Sequence, residues 1–390
     1  MISVEQALEL ALNLVAPLPH EDIPLAQALG RVLARPVVAR RDQPPFSSSA
    51  MDGYAVRAAD TGAGAKLAVI GTSAAGHGFE GPLNANQAAR IFTGAPVPAG
   101  ADTVVIQEDV TRTGDVITLQ GACQANQHIR AIGSDFTSGD KIAAPRRLSA
   151  NDLALLAAMN IATVPVTRAP VVALIATGDE LVMPGQTPGP DQIIASNNFG
   201  LMALADQIGA KARLLPIARD SVSSLTNVLG LAADADLIVT IGGASVGDHD
   251  LVASVAADLG LERAFYKVAM RPGKPLMAGR LGDAVLLGLP GNPVSSMVCG
   301  HVFMLPMLHK MLGLGAQAAP RATAKLAAPL PANGARAHYM RARISDGQIT
   351  PAKRQDSALL SVLADANALL IRPVNDPARD IGETVEFIAI

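Results

Sequence analysis

The stretch Asp236-Leu-Ile-Val-Thr-Ile-Gly-Gly-Ala-Ser-Val-Gly-Asp-His-Asp250 joins residue types that suit an anion to residue types that suit a divalent metal. Its apolar, β-branched start, Leu237 to Ile241, reads as a buried strand. Gly242, Gly243 and Gly247 then break the chain around Ser245, and a helical pattern follows from Leu251 to Leu259. A glycine turn that opens a helix points backbone N–H groups and the positive end of the helix dipole at one place, which favours an oxyanion or a phosphate. Asp248 and Asp250 beside it are hard oxygen donors that suit a divalent metal. The pattern is neither G-x-G-x-x-G nor a Walker A loop, and taken alone it fits an ordinary strand–helix turn equally well.

Similar turns recur. Asp52 follows a Pro- and Ser-rich loop and precedes the strand Tyr54-Ala-Val56, and it can hold a metal, take a proton or simply form an Asx turn. Thr93 lies in the Pro/Gly loop Ile91–Asp102, where its hydroxyl can donate to a phosphate or cap a turn. Arg130 and Asp135 share the loop His128–Asp135. Between 171 and 293, strand-like runs lead repeatedly into charged or glycine-rich turns carrying Asp179, Glu180, Asp220, Ser245, Asp248, Asp250, Lys267, Arg271, Lys274 and Asn292.

The elements that must position these residues divide the chain into four regions. Residues 1–45 with 143–168 form a discontinuous N-terminal helical or mixed domain, with a first helix over Ser3–Leu14 and another opening at the Ser149 cap. Residues 46–142 carry short strand-like runs and almost no helical periodicity, which predicts an inserted β-rich domain. Residues 169–314 alternate strand and helix, which predicts a three-layer α/β domain with a mostly parallel sheet; ligands of such sheets bind outside the carboxyl ends of the strands. Residues 315–390 open with an Ala/Pro linker, 316–331, and continue as a small β domain resembling a barrel.

Composition excludes several classes. A formal net charge of −3 opposes a nucleic-acid binder driven by bulk electrostatics. Two distant cysteines, Cys123 and Cys299, provide neither a disulfide framework nor a zinc ligand set, and they suit a reducing, cytoplasmic setting. The longest apolar stretch, Pro293 to Leu308, contains serines, His301 and Pro306 and reads as a buried helix, so no membrane span is expected. With aromatics at 3% and no Trp, the cores must be built from Ala, Val, Leu and Ile.

Six stretches together carry a family resemblance: Ser49-Ala-Met-Asp-Gly-Tyr-Ala55, Thr93-Gly-Ala-Pro-Val-Pro98, Thr177-Gly-Asp-Glu-Leu181, Gly242-Gly-Ala-Ser-Val-Gly247, Arg271-Pro-Gly-Lys-Pro275 and Leu289-Pro-Gly-Asn-Pro293. Singly they are weak; in this order they are specific. The sequence resembles the MoeA family of molybdopterin molybdenumtransferases, which includes the E domain of gephyrin, along essentially its whole length. The resemblance implies insertion of molybdate into adenylated molybdopterin with release of AMP. It also implies a homodimer whose active cleft lies between subunits, and Mg2+ as cofactor. Expected partners are the adenylyltransferase of the same pathway and molybdoenzyme maturation factors. The family's catalytic positions fall on Asp52, Thr93, Glu180, Asp250, Lys267 and Arg271, with Asp52, Glu180 and Asp250 as candidate metal ligands. Substrate-binding positions fall on Asp135, Asp220, Gly242, Gly243, Ser245, Gly247, Lys274, Pro290, Asn292, Pro293 and Ser357.

The chemistry suits the residues. Molybdate is a dianion, so Lys267, Arg271 and Lys274 with the glycine-turn N–H groups match it, while three carboxylates crowded against an anionic substrate require a cation between them. There are departures. Ser47-Ser48 stands where relatives often carry Asp-Asn, Arg271 where some carry Lys, and Gln355-Asp-Ser357 replaces a Gln-Gly-Ser-like stretch. Two competing readings remain at this level: the adenylyltransferase of the preceding step, which shares only the α/β domain, and a non-catalytic scaffold like that of gephyrin.

Overall fold

The computed structural model describes residues 1–243 and 251–390, so Ser245, Gly247, Asp248 and Asp250 lie outside the described residues. The central domain is a six-stranded mixed sheet. Its strands run, from one edge to the other, Lys211–Leu214, Val171–Ala176, Leu237–Ile241, Ala284–Leu289, Met277–Leu281 and Glu262–Tyr266. The first four are parallel, in a register that ends Ala176, Ile241 and Leu289 at one level. Alternation with period two divides their side chains. Val172, Leu174, Leu237, Val239, Val285 and Leu287 bury into one core. Ala173, Ile175, Ile238 and Leu286 bury into the other. Both faces are therefore apolar, and helices cover each, which gives the three layers expected of 169–314.

The last two strands are antiparallel, and the sequence reading had missed Met277–Leu281. The reason lies in Gly279. A Cβ there would sit 2.6 Å from the Glu262 carbonyl oxygen, so only glycine permits the bulged pairing with Arg263 and Phe265. A glycine mid-strand removes the β-branched signal that announces a strand. The hairpin also returns the end of Glu262–Tyr266 to the carboxyl rim of the parallel strands, because Tyr266 pairs Met277 and Met277 pairs Gly288. Lys267 follows directly.

The helix Val4–Asn13 starts at a capping box in which Ser3 Oγ accepts from Gln6 N–H and the Gln6 side chain accepts from Ser3 N–H. Its buried face, Val4, Ala7, Leu8, Ala11 and Leu12, packs with Met307 and Leu308 of the helix Leu305–Met311 in the central-domain core. The core of 20–45 with 136–167 is separate, built on Leu33, Leu156, Val164 and Val166 and a four-stranded sheet. Pro306 lacks the N–H that would reach back one turn, and the helix runs as a π segment over Gly300–Met304 before it.

The inserted region forms a six-stranded sheet from Gly53–Val56, Lys66–Ser73, Gln87–Ile91, Thr103–Ile106, Val110–Thr113 and Val116–Leu119. At the C-terminus, five strands close into a barrel through pairing of Ala337–Ser345 with Ala368–Arg372. One of those strands, Arg321–Leu326, lies inside the expected 316–331 linker. Its alanines and charges give no alternation strong enough to read; pairing with Thr384–Ala389 makes it a strand. Among the described residues no helix is long and apolar enough to cross a membrane.

The helix Ala150–Ala158 shows how the N-terminal domain holds its turns. The buried carboxylate of Asp152 accepts from Ser149 N–H at 2.8 Å and Ser149 Oγ–H at 2.7 Å, and pairs with Arg146. Burial raises the pKa of this carboxyl, but the Ser149 bonds and the Arg146 charge together outweigh it and hold the group below the ordinary range. Asp152→Ala is expected to cost about 1–3 kcal/mol at pH 7. Because the folded pKa is depressed, the wild-type advantage is full above the unfolded carboxylate pKa of about 3.9 and narrows as pH falls through the folded value. Thermal melts of both proteins across that range check the sign.

Candidate active site

At the carboxyl rim of the parallel strands lies a cavity of about 1050 Å³. Its wall includes Glu180, Asp220, Gly242, Gly243, Pro290, Asn292 and Pro293, seven residues expected from the sequence. Three strand-to-loop exits meet there backbone to backbone. Thr177 N–H donates to Ile241 carbonyl, Gly242 N–H to Leu289 carbonyl, and Gly178 N–H to Ala218 carbonyl. Gly242 has φ +98°, and a Cβ on it would stand 2.8 Å from the Thr177 carbonyl oxygen. No other residue fits both the left-handed backbone and the contact. Glu180 is aimed by the same device: its carboxylate folds over Gly178, where a Cβ would lie 2.3 Å from Oε2. Arg219 Nη1 donates to the carbonyls of Asp179 and Leu181, and Asp220 N–H donates to Asp179 Oδ1, so the Glu180 and Asp220 loops are tied together.

Asp52 and Thr93 form a second, separate constellation, exposed on the inserted domain and outside the cavity wall. Thr93 N–H and Oγ–H both donate to Asp52 Oδ1, at 2.7 and 2.8 Å. The Thr93 backbone bond first and its hydroxyl second hold the Asp52 carboxyl below the usual range against desolvation, with the Arg90 charge as the least contribution. Oδ2 accepts no hydrogen bond among the described residues, which leaves it open to a metal or a proton. The loops beneath are stitched by Ser49 N–H to Ala95 carbonyl and Gly94 N–H to Ser49 carbonyl. Ser47 enters this network through its carbonyl, which accepts from Val97 N–H. The Ser47-Ser48 departure thus leaves the Asp52 support intact. Asp135 is exposed on the neighbouring loop, where its N–H donates to Gln43 carbonyl.

The cations form a third group. Lys267 carries φ +68° and lays Nζ 4.7 Å from the centroid of the Tyr266 ring. Lys274 carbonyl accepts from Val268 and Leu276 N–H, and Pro275 after it reaches the cavity wall. Arg271 pairs with His338 of the barrel. Ser357 joins barrel to cavity: its hydroxyl accepts from Asn292 Nδ2–H at 3.0 Å, and its carbonyl accepts from Val294 N–H.

Sequence reasoning missed Arg341. It is fully buried, with Nε and Nη1 unpartnered and Nη2 donating to Asp356 carbonyl. Gln355 fixes its backbone from both sides, accepting from Arg341 N–H and donating to its carbonyl. His338 beside it is pushed down to about 4, by burial first and then by Arg271, Arg341, Arg372 and Arg336. Arg372 is paired with Asp376, and the Asp356 charge partly offsets the burial of Arg341. Within the strand Ala337–Ser345 the charge of Arg341 resembled that of an exposed residue, and no spacing signal marks it.

Among the described residues no three His, Cys, Asp or Glu side chains gather into a metal cluster. Glu180 and Asp220 supply two carboxylates to the cavity wall, a donor set that fits Mg2+, which takes one or two carboxylates and keeps its remaining positions for water and phosphate oxygens.

Comparison with known proteins covers the chain from end to end. Residues 2–160 match the MoeA N-terminal region (domain I and II), 173–310 the probable molybdopterin binding domain, and 323–390 the MoeA C-terminal region (domain IV). A molybdopterin molybdenumtransferase of Nostoc sp. is 37% identical over 80% of this chain and 75% of its own length. That of Bacillus subtilis is 33% identical over 95% and 90%. The crystal structure of a molybdopterin biosynthesis MoeA protein from Pyrococcus horikosii superposes with a TM-score of 0.88 at 31% identity, covering 100% of this chain and 99% of that one. The order of domains, the glycine-built rim and these matches agree: the chain belongs to the MoeA family.

Proposed function

We propose that this protein is a molybdopterin molybdenumtransferase: it inserts molybdate into adenylated molybdopterin and releases AMP. One observation carries the reading. In a chain that matches the family through all its regions, the motifs around Glu180, Gly242 and Asn292 line one large cavity at the strand carboxyl ends. The adenylyltransferase and scaffold readings are not favoured, since relatives named molybdopterin molybdenumtransferase match far beyond the α/β domain.

In this reading the cavity receives the adenylated pterin. Lys267 and Arg271 gather the molybdate dianion, with Lys274 and Ser357 at the join between barrel and cavity. Glu180 with Asp52 and Asp250 would hold Mg2+, and Asp220 would orient its water. When bound, that ion neutralises phosphate charge and favours departure of AMP. Asp52, kept ionised by Thr93, holds Oδ2 ready for the ion or for a proton from water. Since Asp52, Thr93 and Asp135 are exposed and lie outside the cavity wall, a homodimer that sets one subunit's Asp52 loop against the partner's cavity would complete the site. Free cysteines, Cys299 buried and Cys123 half-buried, are consistent with a cytoplasmic setting. The adenylyltransferase of the pathway would supply the substrate, and maturation factors of molybdoenzymes would take the product.

The direct test is AMP release from adenylated molybdopterin with Mg2+ and molybdate. Formation of adenylated product from molybdopterin and ATP would instead point to the preceding step. Asp52→Ala is expected to lower molybdate-dependent AMP release at least about 100-fold with an unchanged melting temperature; near-normal turnover would remove Asp52 from the mechanism. Lys267→Ala should raise the molybdate concentration for half-saturation about tenfold while leaving the maximal rate nearly unchanged. An unaltered saturation curve would refute that role.

A further inference from the structure

Two neighbouring asparagines open the helix Asn197–Gln207, and both line the cavity. Asn197 is fully engaged: Nδ2–H donates to Gly291 carbonyl at 2.7 Å, and Oδ1 accepts from Ser196 Oγ–H at 3.2 Å. Asn198 is different. It is 1% exposed, and its Oδ1 is buried without a partner. Its Nδ2 likewise makes no hydrogen bond among the described residues. An unpaired buried carboxamide oxygen is destabilising, and a core Leu of similar volume would avoid that penalty. Ser196, at the N-cap position of this helix, donates to Asn197 and makes no capping bond to the first turn, so nothing local consumes the Asn198 carboxamide.

The surrounding wall narrows the ligand chemistry. Ile193 and Ile194 line the cavity although they are 58% and 37% exposed, which presents bare apolar surface. The described wall contains Glu180 and Asp220 but no Lys, Arg or His. Apolar surface with an idle donor–acceptor pair, and no cation, suits a flat heteroaromatic ring with an amide-like edge, not a bare phosphate. A carboxamide reads such an edge with two hydrogen bonds, as Asn reads adenine.

We propose that Asn198 is a specificity-determining residue that hydrogen-bonds the polar edge of a fused heteroaromatic ring seated in the cavity. The inference rests on the cavity being the substrate site. Adenylated molybdopterin offers two such rings, the pterin and the adenine, and they share this chemistry.

Calorimetric titration of the wild-type chain, Asn198→Leu and Asn198→Ala with AMP, pterin and ribose 5-phosphate tests it. Affinity for AMP or for pterin should fall at least tenfold in both variants. Affinity for ribose 5-phosphate, which has no ring, should hold, and the melting temperature of Asn198→Leu should stay level or rise. Loss confined to AMP assigns the adenine, and loss confined to pterin assigns the pterin. Equal ring affinity in wild type and variants overturns the proposal. So does a parallel loss for ribose 5-phosphate, or a fall in melting temperature in both variants, which would make Asn198 a structural residue. Wild-type protein that binds neither AMP nor pterin at millimolar concentration would instead remove the cavity as the substrate site.

Discussion

The site depends on a close approach of backbones. Val171–Ala176, Leu237–Ile241 and Ala284–Leu289 run parallel and end at the same height, so their three exits must turn away within a few ångströms of one another. Gly242 is where they meet. A Cβ on it would reach the Thr177 carbonyl oxygen, and one on Gly291 would touch Gly242 Cα at 3.4 Å. Without side chains at this crossing the loops pack flush, and the space in front of them stays open. A large residue at Gly242 would need both a forbidden φ and a displaced Thr177. The cavity is thus a consequence of glycine at the end of a buried strand.

Around that crossing the protein separates tasks by environment. The cavity wall is acidic and apolar. The cations are placed at the boundary with the barrel, where exposed Arg271 lies in register with buried His338 and Arg341 is enclosed nearby. Asp52 stands apart on the inserted domain, solvent-exposed, its charge set by two bonds from a single threonine. An anionic ligand with several charged groups would find a different partner for each. Keeping Asp52 away from Glu180 and Asp220 within one chain also avoids packing three carboxylates together in the absence of ligand.

The inserted domain, the cavity loops and many strands were legible because each leaves a local mark. Asp52-Gly53 precedes an alternating strand, Ser149 precedes a 3.6-residue pattern, and Leu237–Ile241 is a continuous apolar run. Met277–Leu281 and Arg321–Leu326 left no such mark: a glycine needed for close approach interrupts one, and alanines and charges weaken the other. The helix Val4–Asn13 was visible as a helix, but an amphipathic face does not name its partner, and the core it joins is that of the central domain.

The sequence by itself determined the α/β alternation and the family and marked the candidate site residues, because these reside in residue types at fixed spacing. Tertiary structure decided how they are grouped. It drew Glu180, Asp220, Gly242 and Asn292 from distant turns into one wall, left Asp52 and Thr93 outside it, and enclosed Arg341 and Asn198 with polar atoms unpaired. Burial and an absent hydrogen-bond partner belong to no single stretch of chain. They arise only when elements far apart in sequence close over the same atom.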